Sequence, residues 1–419
     1  MYRRAAVLVA VLVACSDRSP LGPVPEPLSP RATIEGPTAA DRAGVTALTW
    51  NVYVGAEIGR VIQAWTPEEA IALATEEWAH VQATNFPARA GMLAQAIAAR
   101  RPHVVGLEEA ALYRTTDRPF EELATHVAYD FLQLLLDSLR ARGLDYSATA
   151  VDRTTDIQVP VIVGFEPSGQ PIFAGVRFTD GDAVLVRGDV ARANPRSGVY
   201  AAYVPVTLGG VSSGVYQGWS SVEAAIGGRT YRFVATHLAG QEVRDIQLAQ
   251  TRELLTLLGS DPRPTILVGD FNSDAFGADP TRVTPTYGLV RAAGYQDTWV
   301  EPNRKAPGLT CCERSDLLNP RPTFDQRIDF IFARNLPADV VPIRREVVGD
   351  RPSDRTSAGL WPSDHAGVVV TLSNASAQSL GLGLHDLIDV ADQGLERSAG
   401  ARGDGAVSPR RRDARQVEP

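Results

Sequence analysis

The segment "PTILVGDFNSDA" (264–275) constrains this chain more than any other. Ile266-Leu267-Val268 is a short continuous apolar run, the pattern of a strand buried on both faces. It stops at Gly269-Asp270-Phe271-Asn272. Side chains two apart in a strand share a face, so Asp270 and Asn272 are predicted to point one way and Phe271 back into the packing. A scaffold built like this offers two oxygen-bearing groups to one target. Two other readings compete for the same letters. Asp and Asn form turns by bonding nearby backbone. Asp270-x-Asn272-x-Asp274 also opens like a calcium loop, but its sixth position is Ala275 instead of Gly and its twelfth is Thr281 instead of Glu.

Other segments follow the same rule of an apolar run ending in a polar group. "LTWNVY" presents Asn51, "VVGLEEA" presents Glu108 and Glu109, and "RFVATHLAG" presents His237. "RIDFIF" presents Asp329, and "WPSDHAGVVV" presents Asp364 and His365 just before a strand. Each alone fits an edge strand or a hydrogen-bonded core histidine. Together they place carboxylates, amides and two imidazoles at strand ends. Further β-like runs cover 145–151, 157–163, 172–178, 183–188, 199–207, 215–226 and 230–238. Helical spacing covers 67–101 with a break at Pro87, 121–142 with Gly143 as its stop, and 242–258. Strands in runs with helices between them predict two packed sheets with helices outside, in one domain over 45–373.

The ordered set "TWNV", "VVGLEE", "THL", "GDFN", "RIDF" and "SDH" resembles the endonuclease/exonuclease/phosphatase superfamily, whose fold is that of pancreatic deoxyribonuclease. The resemblance spans essentially all of 45–373. It implies an α/β fold: a four-layer α-β-β-α sandwich of two mixed β-sheets, with helices on both outer faces and the site at one sheet edge. The reaction it implies is hydrolysis of a phosphate ester by in-line attack of water. Glu109 matches the family's metal-ligand acid, because Glu108 fills the usual Gln position. Asn51 and Asp364 match the other positions around a metal, expected to be Mg2+ with Mn2+ or Ca2+ as alternatives. Asp270 and Asn272 match the pair that positions water and phosphate. His365 matches the histidine paired with an acid, here Asp329. His237 matches the second histidine of the deoxyribonuclease and sphingomyelinase branches, serving the leaving group, with Asp180 of "FTDGDAVLVR" as its partner. The presence of "THL" argues against the abasic-site repair branch and favours diester over monoester cleavage.

Composition narrows the surroundings of this domain. Net charge is −8 and hydrophobic content 44%, so the chain has a full core and no overall basic signature of a nucleic-acid binder. A bound cation could still supply positive charge to a phosphodiester. "MYRR" followed by "AAVLVAVLVA" (5–14) is a basic start and an apolar run too short to span a bilayer. Its close on Leu12-Val13-Ala14-Cys15 resembles a bacterial lipoprotein signal. The reading is a signal peptide over 1–14, then a lipidated Cys15 with a Pro-rich linker over 15–44, and export to a lipid anchor on the cell envelope. Residues 374–419 read as a disordered tail. The chain has three cysteines. With Cys15 acylated, Cys311 and Cys312 remain, and neighbours across a trans peptide (Cα atoms ~3.8 Å apart) are poorly placed to bond.

Rival motifs fail on context. Gly210-Val211-Ser212-Ser213-Gly214 has the letters of a serine-hydrolase elbow, but β-like runs flank it where a strand-to-helix turn is needed. No Gly-rich phosphate loop with Lys and no Cys/His zinc spacing occurs. The expected partners are a phosphate-ester substrate (nucleic acid, phospholipid or inositol phosphate) and a membrane through the anchor, with the protein acting as a monomer. The alternatives are an inositol-phosphate-type phosphatase and a surface binding protein that kept the fold without the chemistry.

Overall fold

The computed structural model describes residues 44–208, 211–276, 282–300 and 306–374. The residues read as a signal segment, as a lipidated Cys15, as its linker up to 43 and as a C-terminal tail from 375 lie outside these residues. The described residues fall within one compact unit ending at Asn374. None of the helices among them is long and apolar enough to cross a membrane.

Two six-stranded mixed sheets form the centre. The first runs β17 (Val340–Val348), β18 (Gly367–Asn374), β1 (Val45–Asn51), β2 (Val104–Glu108), β8 (Ala183–Arg187), β5 (Tyr146–Val151). The second runs β15 (Gln296–Asp297), β16 (Asp329–Arg334), β14 (Thr265–Asp270), β13 (Arg229–His237), β12 (Gly218–Ile226), β9 (Ala191–Val199). The pairs β1/β2 and β13/β14 are parallel, and the other pairings in these sheets that carry site residues are antiparallel. Burial on both faces explains why these strands read as apolar runs without alternation. Val45 and Ala47 of β1, Phe233 and Ala235 of β13, and Ile266 and Val268 of β14 interdigitate between the sheets. Their neighbours Leu48 and Trp50 face a helical layer of α1 (Ile58–Ile62), α2 (Pro67–Ala83), α3 (Phe86–Arg100) and α4 (Phe131–Arg140). Val234, Leu267, Phe330 and Phe332 face α5 (Arg244–Leu258) and α6 (Thr286–Ala292) on the opposite side. The layers are therefore helix, sheet, sheet, helix, as expected.

Two glycines show how closely these layers approach. A Cβ at Gly106 would sit 2.6 Å from Val268 Cγ2 of the facing sheet. At Gly269, where φ is +141°, it would sit 1.8 Å from Thr236 O of the neighbouring strand. Only glycine fits there.

The structure departs from the sequence reading in several places. A third sheet, β4 (His126–Asp130), β3 (Leu112–Thr116), β7 (Pro171–Thr179), β6 (Asp156–Phe165), and a hairpin of β10 (Val204–Leu208) and β11 (Val211–Val215) accompany the central pair. The helix expected over 121–142 begins only at Phe131, because Asp130 caps it by accepting from Gln133 N at 3.0 Å and residues 126–130 pair with β3. The run 199–207 is not one strand: β9 ends at Val199 and β10 starts at Val204. The helical break falls at Thr84–Asn85, and Pro87 sits in the first turn of α3, where its missing N–H costs nothing.

Candidate active site

Register, before any chemistry, gathers the site. Asn51 lies opposite Glu108, His237 opposite Asp270, and Asp270 opposite Asp329. These are the C-terminal ends of β1, β2, β13 and β14 and the N-terminal end of antiparallel β16, so all lie along one edge. Strand parity then sets direction. Asn51 shares a face with Val45 and Ala47, Asp270 with Ile266 and Val268, His237 with Phe233 and Ala235, and Asp329 with Ile331, all of which point between the sheets. The pleat thus delivers these polar groups into the mouth between the two sheets.

Asn51 joins the sheets. Its Nδ2 donates to Glu109 Oε1 at 2.9 Å and to Asp270 Oδ2 at 3.2 Å, and its Oδ1 accepts from Tyr53 N at 3.0 Å. The Tyr53 bond orients the amide so that its donors face the two acids. Glu109 is one residue past β2 with φ at 61°. That left-handed turn swings its carboxylate toward Asn51, and Oε2 accepts from Val54 N at 2.7 Å. Glu108 stays between the sheets, fully buried, with Oε1 accepting from Thr49 Oγ1 at 2.9 Å and Oε2 without a hydrogen-bond partner. Burial, then the nearby Asp329 carboxylate, push its pKa well above the usual carboxyl range.

A carboxyl whose folded pKa is raised is ionised more easily in the unfolded chain, so its burden on stability grows as pH rises above the unfolded value. Glu108→Gln removes the ionisable group and is therefore expected to stabilise the protein by about 1.4 kcal/mol for each pH unit between the unfolded carboxyl value and the pH of measurement. Thermal melts across pH 5 to 8 check this: the advantage should widen with pH (roughly, as linkage requires), and a constant offset would contradict it.

His365 and Asp329 form a buried pair, with Nδ1 donating to Asp329 Oδ2 at 2.9 Å. The proton on Nδ1 leaves Nε2 turned toward Asp270, whose Oδ2 is 3.9 Å away. Burial alone would lower the His365 pKa, but the carboxylates of Asp329, Asp364 and Asp270 outweigh it and hold the value well above normal. On the other side of Asp270, His237 Nε2 lies 3.6 Å from the same Oδ2. Asn272, at φ 47°, donates from Nδ2 to Leu238 O at 2.9 Å and to His237 Nε2 at 3.2 Å. His237 Nδ1 faces Asp182 Oδ1 at 3.9 Å. Phe271 turns away and packs edge-on to Phe330 and Phe332. Burial, opposed by both histidines and added to by Asp329, brings Asp270 up to about 6.

The sequence analysis singled out Asp180 as the partner of His237. Its Oδ1 instead accepts from Gly181 N at 2.9 Å, and Asp182, besides Asp270, is within ion-pair reach of the ring. Asp182 immediately precedes β8, so a polar residue at the start of β8 reaches the same edge as Glu108 at the end of its antiparallel neighbour β2. Applying the strand-end rule in both directions would have found it. Arg89 was read only as part of a helix face. It is fully buried and donates to four carbonyls: Thr84 at 2.9 Å, Val52 at 2.7 Å, Pro362 at 3.0 Å and Tyr53 at 3.1 Å. It thereby ties the loop after Asn51 to the loop carrying Asp364.

Glu109 and Asp364 supply carboxylate oxygens, the chemistry suited to a hard divalent cation; Asn51, expected beside the metal, instead turns its amide nitrogen to Glu109 and orients that carboxylate. Burial, with Glu109 adding to it and His365 opposing, lifts Asp364 to about 7. Carboxyls held this high lack the positive charge a cation would bring, so the residues fit such an ion. Asp270, Asp329 and His365 also converge, with donor atoms within 4.8 Å of one another. Asp329 Oδ2 is already bound to His365 Nδ1, which makes these two a hydrogen-bonded pair facing Asp270 Oδ2 at 3.9 Å. Beside it lie Cys311 and Cys312, which the structure joins as a vicinal disulfide across a cis peptide, contrary to the trans-peptide expectation.

The model of the endonuclease/exonuclease/phosphatase family matches residues 48–365. Among solved structures, an endonuclease/exonuclease/phosphatase family protein from Leptotrichia buccalis is similar at 18% identity and TM-score 0.46, covering 78% of this chain and 99% of its own. Bacteroides thetaiotaomicron mannosyl-6-phosphatase is similar at 17% identity and TM-score 0.45, covering 78% and 99%. TDP2 of D. rerio, solved with a single-strand DNA product, is similar at 16% identity and TM-score 0.44, covering 79% and 100%. Among curated proteins, none is significantly similar to this chain.

Proposed function

The chain belongs to the endonuclease/exonuclease/phosphatase family, and on that premise we propose that it is a phosphoesterase that cleaves phosphodiester bonds by in-line attack of water. The observation that carries this reading is the approach of two imidazoles to one carboxylate: His237 Nε2 at 3.6 Å and His365 Nε2 at 3.9 Å from Asp270 Oδ2. A diester displacement needs groups on both sides of phosphorus, one for the incoming water and one for the departing alkoxide. Asp270 accepts a proton from water and orients it, supported by Asn51 Nδ2. His365, held by Asp329, presents Nε2 to the phosphoryl oxygens. His237, oriented by Asn272 and faced by Asp182, serves the leaving oxygen. Glu109 and Asp364, with Asn51 orienting Glu109, would hold a hard divalent cation, Mg2+ preferred over Mn2+ or Ca2+, which when bound would supply charge neutralisation of the phosphoryl group.

Purified protein with Mg2+ is expected to hydrolyse bis(p-nitrophenyl) phosphate and either plasmid DNA or sphingomyelin. Release of phosphate from monoesters such as an inositol phosphate alone would move the reading to a phosphatase. No hydrolysis of any of them would favour a binding protein on this fold. For localisation we propose export and acylation at Cys15: metabolic labelling with a fatty-acid analogue should disappear in Cys15→Ser, and persistent label refutes the anchor.

A further inference from the structure

Beside the proposed catalytic histidine lies a second donor set of different chemistry. The sulfurs of Cys311 and Cys312 and a ring nitrogen of His365 lie within 4.8 Å of one another. Cys312 Sγ is 3.9 Å from His365 Nε2, the nitrogen that Asp329 leaves free. No spacing in sequence announces this set, since His365 is 53 residues from Cys312. Isolated bridges from Cys311 to His365 and to Gln326 bring them together.

We propose that in the reduced protein Cys311, Cys312 and His365 form a binding site for a thiophilic divalent cation such as Zn2+ or Cd2+, and that filling it blocks the catalytic imidazole. The donors suit such ions: thiolates and imidazole select borderline-soft metals, whereas the carboxylates of Glu109 and Asp364 select hard ones. The size also fits. Bonds of about 2.3 Å to sulfur and about 2.0–2.1 Å to nitrogen around a tetrahedral ion place neighbouring donors about 3.5–3.8 Å apart, close to the observed Cys312–His365 separation of 3.9 Å.

The backbone of the pair is held by bonds that do not involve sulfur. Cys311 N donates to Gln326 O at 3.1 Å, Cys311 O accepts from Asp325 N at 2.7 Å, and Thr323 Oγ1 donates to Cys312 O at 2.8 Å. Reduction therefore leaves both thiols beside the ring. In balance, a phosphine and one water convert the Cys311–Cys312 bond to two thiols, the phosphine taking the water's oxygen as its oxide and the two sulfurs taking the protons. The cation then displaces both thiol protons and the imidazole Nε2 proton to solvent, freeing the Nε2 lone pair to bind it. Oxidised protein has no thiolates to offer and does not bind. Cys311 is buried and Cys312 half-buried, so the ion enters from the Cys312 side, the wall of the mouth between the sheets.

The test uses full-length protein carrying Cys15→Ser, which leaves the vicinal pair as the only cysteines. Cd2+ is titrated into protein reduced with a phosphine and into oxidised protein, and the ultraviolet thiolate-to-cadmium charge-transfer band is read. One Cd2+ per reduced chain is expected, and none per oxidised chain. His365→Gln should weaken binding at least about tenfold, no less than the loss seen when a ligand's supporting partner is removed. Absence of the band in reduced protein, or an unchanged affinity in His365→Gln, overturns the site. The oxidised sample, identical in sequence, serves as the control for folding. A second arm rests on the phosphoesterase reading: Zn2+ should inhibit the reduced enzyme and spare the oxidised one. Equal inhibition of both would overturn the blocking role. If neither form hydrolyses phosphodiesters, the function reading fails while the binding titration still decides the metal site.

Discussion

His365→Gln is expected to slow phosphodiester hydrolysis by about 10²–10⁴-fold in kcat, the usual worth of a positioned acid–base group, with KM nearly unchanged. The expectation comes from geometry. Asp329 binds the Nδ1 proton at 2.9 Å and thereby assigns Nε2 to the substrate side. Asp329→Asn should reproduce much of the loss by a different route. An amide at position 329 removes the carboxylate that holds the His365 pKa up and orients its ring, so Nε2 loses the proton it presents to the phosphoryl oxygens. Because both changes disable one unit, the double variant should be no slower than His365→Gln alone. Steady-state kinetics of the three variants check this. Multiplying losses would mean that Asp329 and His365 act separately and that the buried pair serves structure.

Removal of divalent cations is expected to have an effect of similar size. A cation's several kcal/mol of charge stabilisation corresponds, at about 1.4 kcal/mol per decade, to a loss of about 10³-fold or more on treatment with EDTA. Excess Mg2+ should restore the rate. Glu109→Ala should raise the Mg2+ concentration needed for half-maximal activity and lower the maximum. A pH dependence follows from the same carboxyls. Asp364 is lifted to about 7, burial being the main cause. Protons compete with the cation as pH falls through this value, so the Mg2+ requirement should increase toward acid pH. An EDTA-insensitive rate, or a Mg2+ requirement that does not vary with pH, would contradict the assignment of Glu109 and Asp364.

Much of this was legible in one dimension because strands encode their ends locally. "ILVGD", "VVGLE" and "RIDFIF" are continuous apolar runs since their strands are covered on both faces, and the first polar residue beyond each run marks where covering stops. Parity along "TILVGD" correctly aimed Asp270 into the mouth and Phe271 into the core, and the ordered motifs pointed to the family. Other features depend on backbone geometry or on partners far along the chain. The sequence "LEEA" holds two acids, and a left-handed φ at Glu109 decided which one meets Asn51 and which stays sealed between the sheets. Asn51 meets Asp270 across 219 residues. Arg89 reaches Pro362 across 273, which no helical periodicity could reveal. Asp182 replaced Asp180 beside His237 because β8 runs antiparallel to β2, a matter of pairing and not of composition. The vicinal cysteines became neighbours of His365 in the same way, through an isolated bridge between two loops. Sequence alone determined which segments are strands, helices or polar ends, because those depend on short-range periodicity. Tertiary structure decided which polar ends face one another, because that depends on register, turn handedness and hydrogen bonds between segments that no local pattern links.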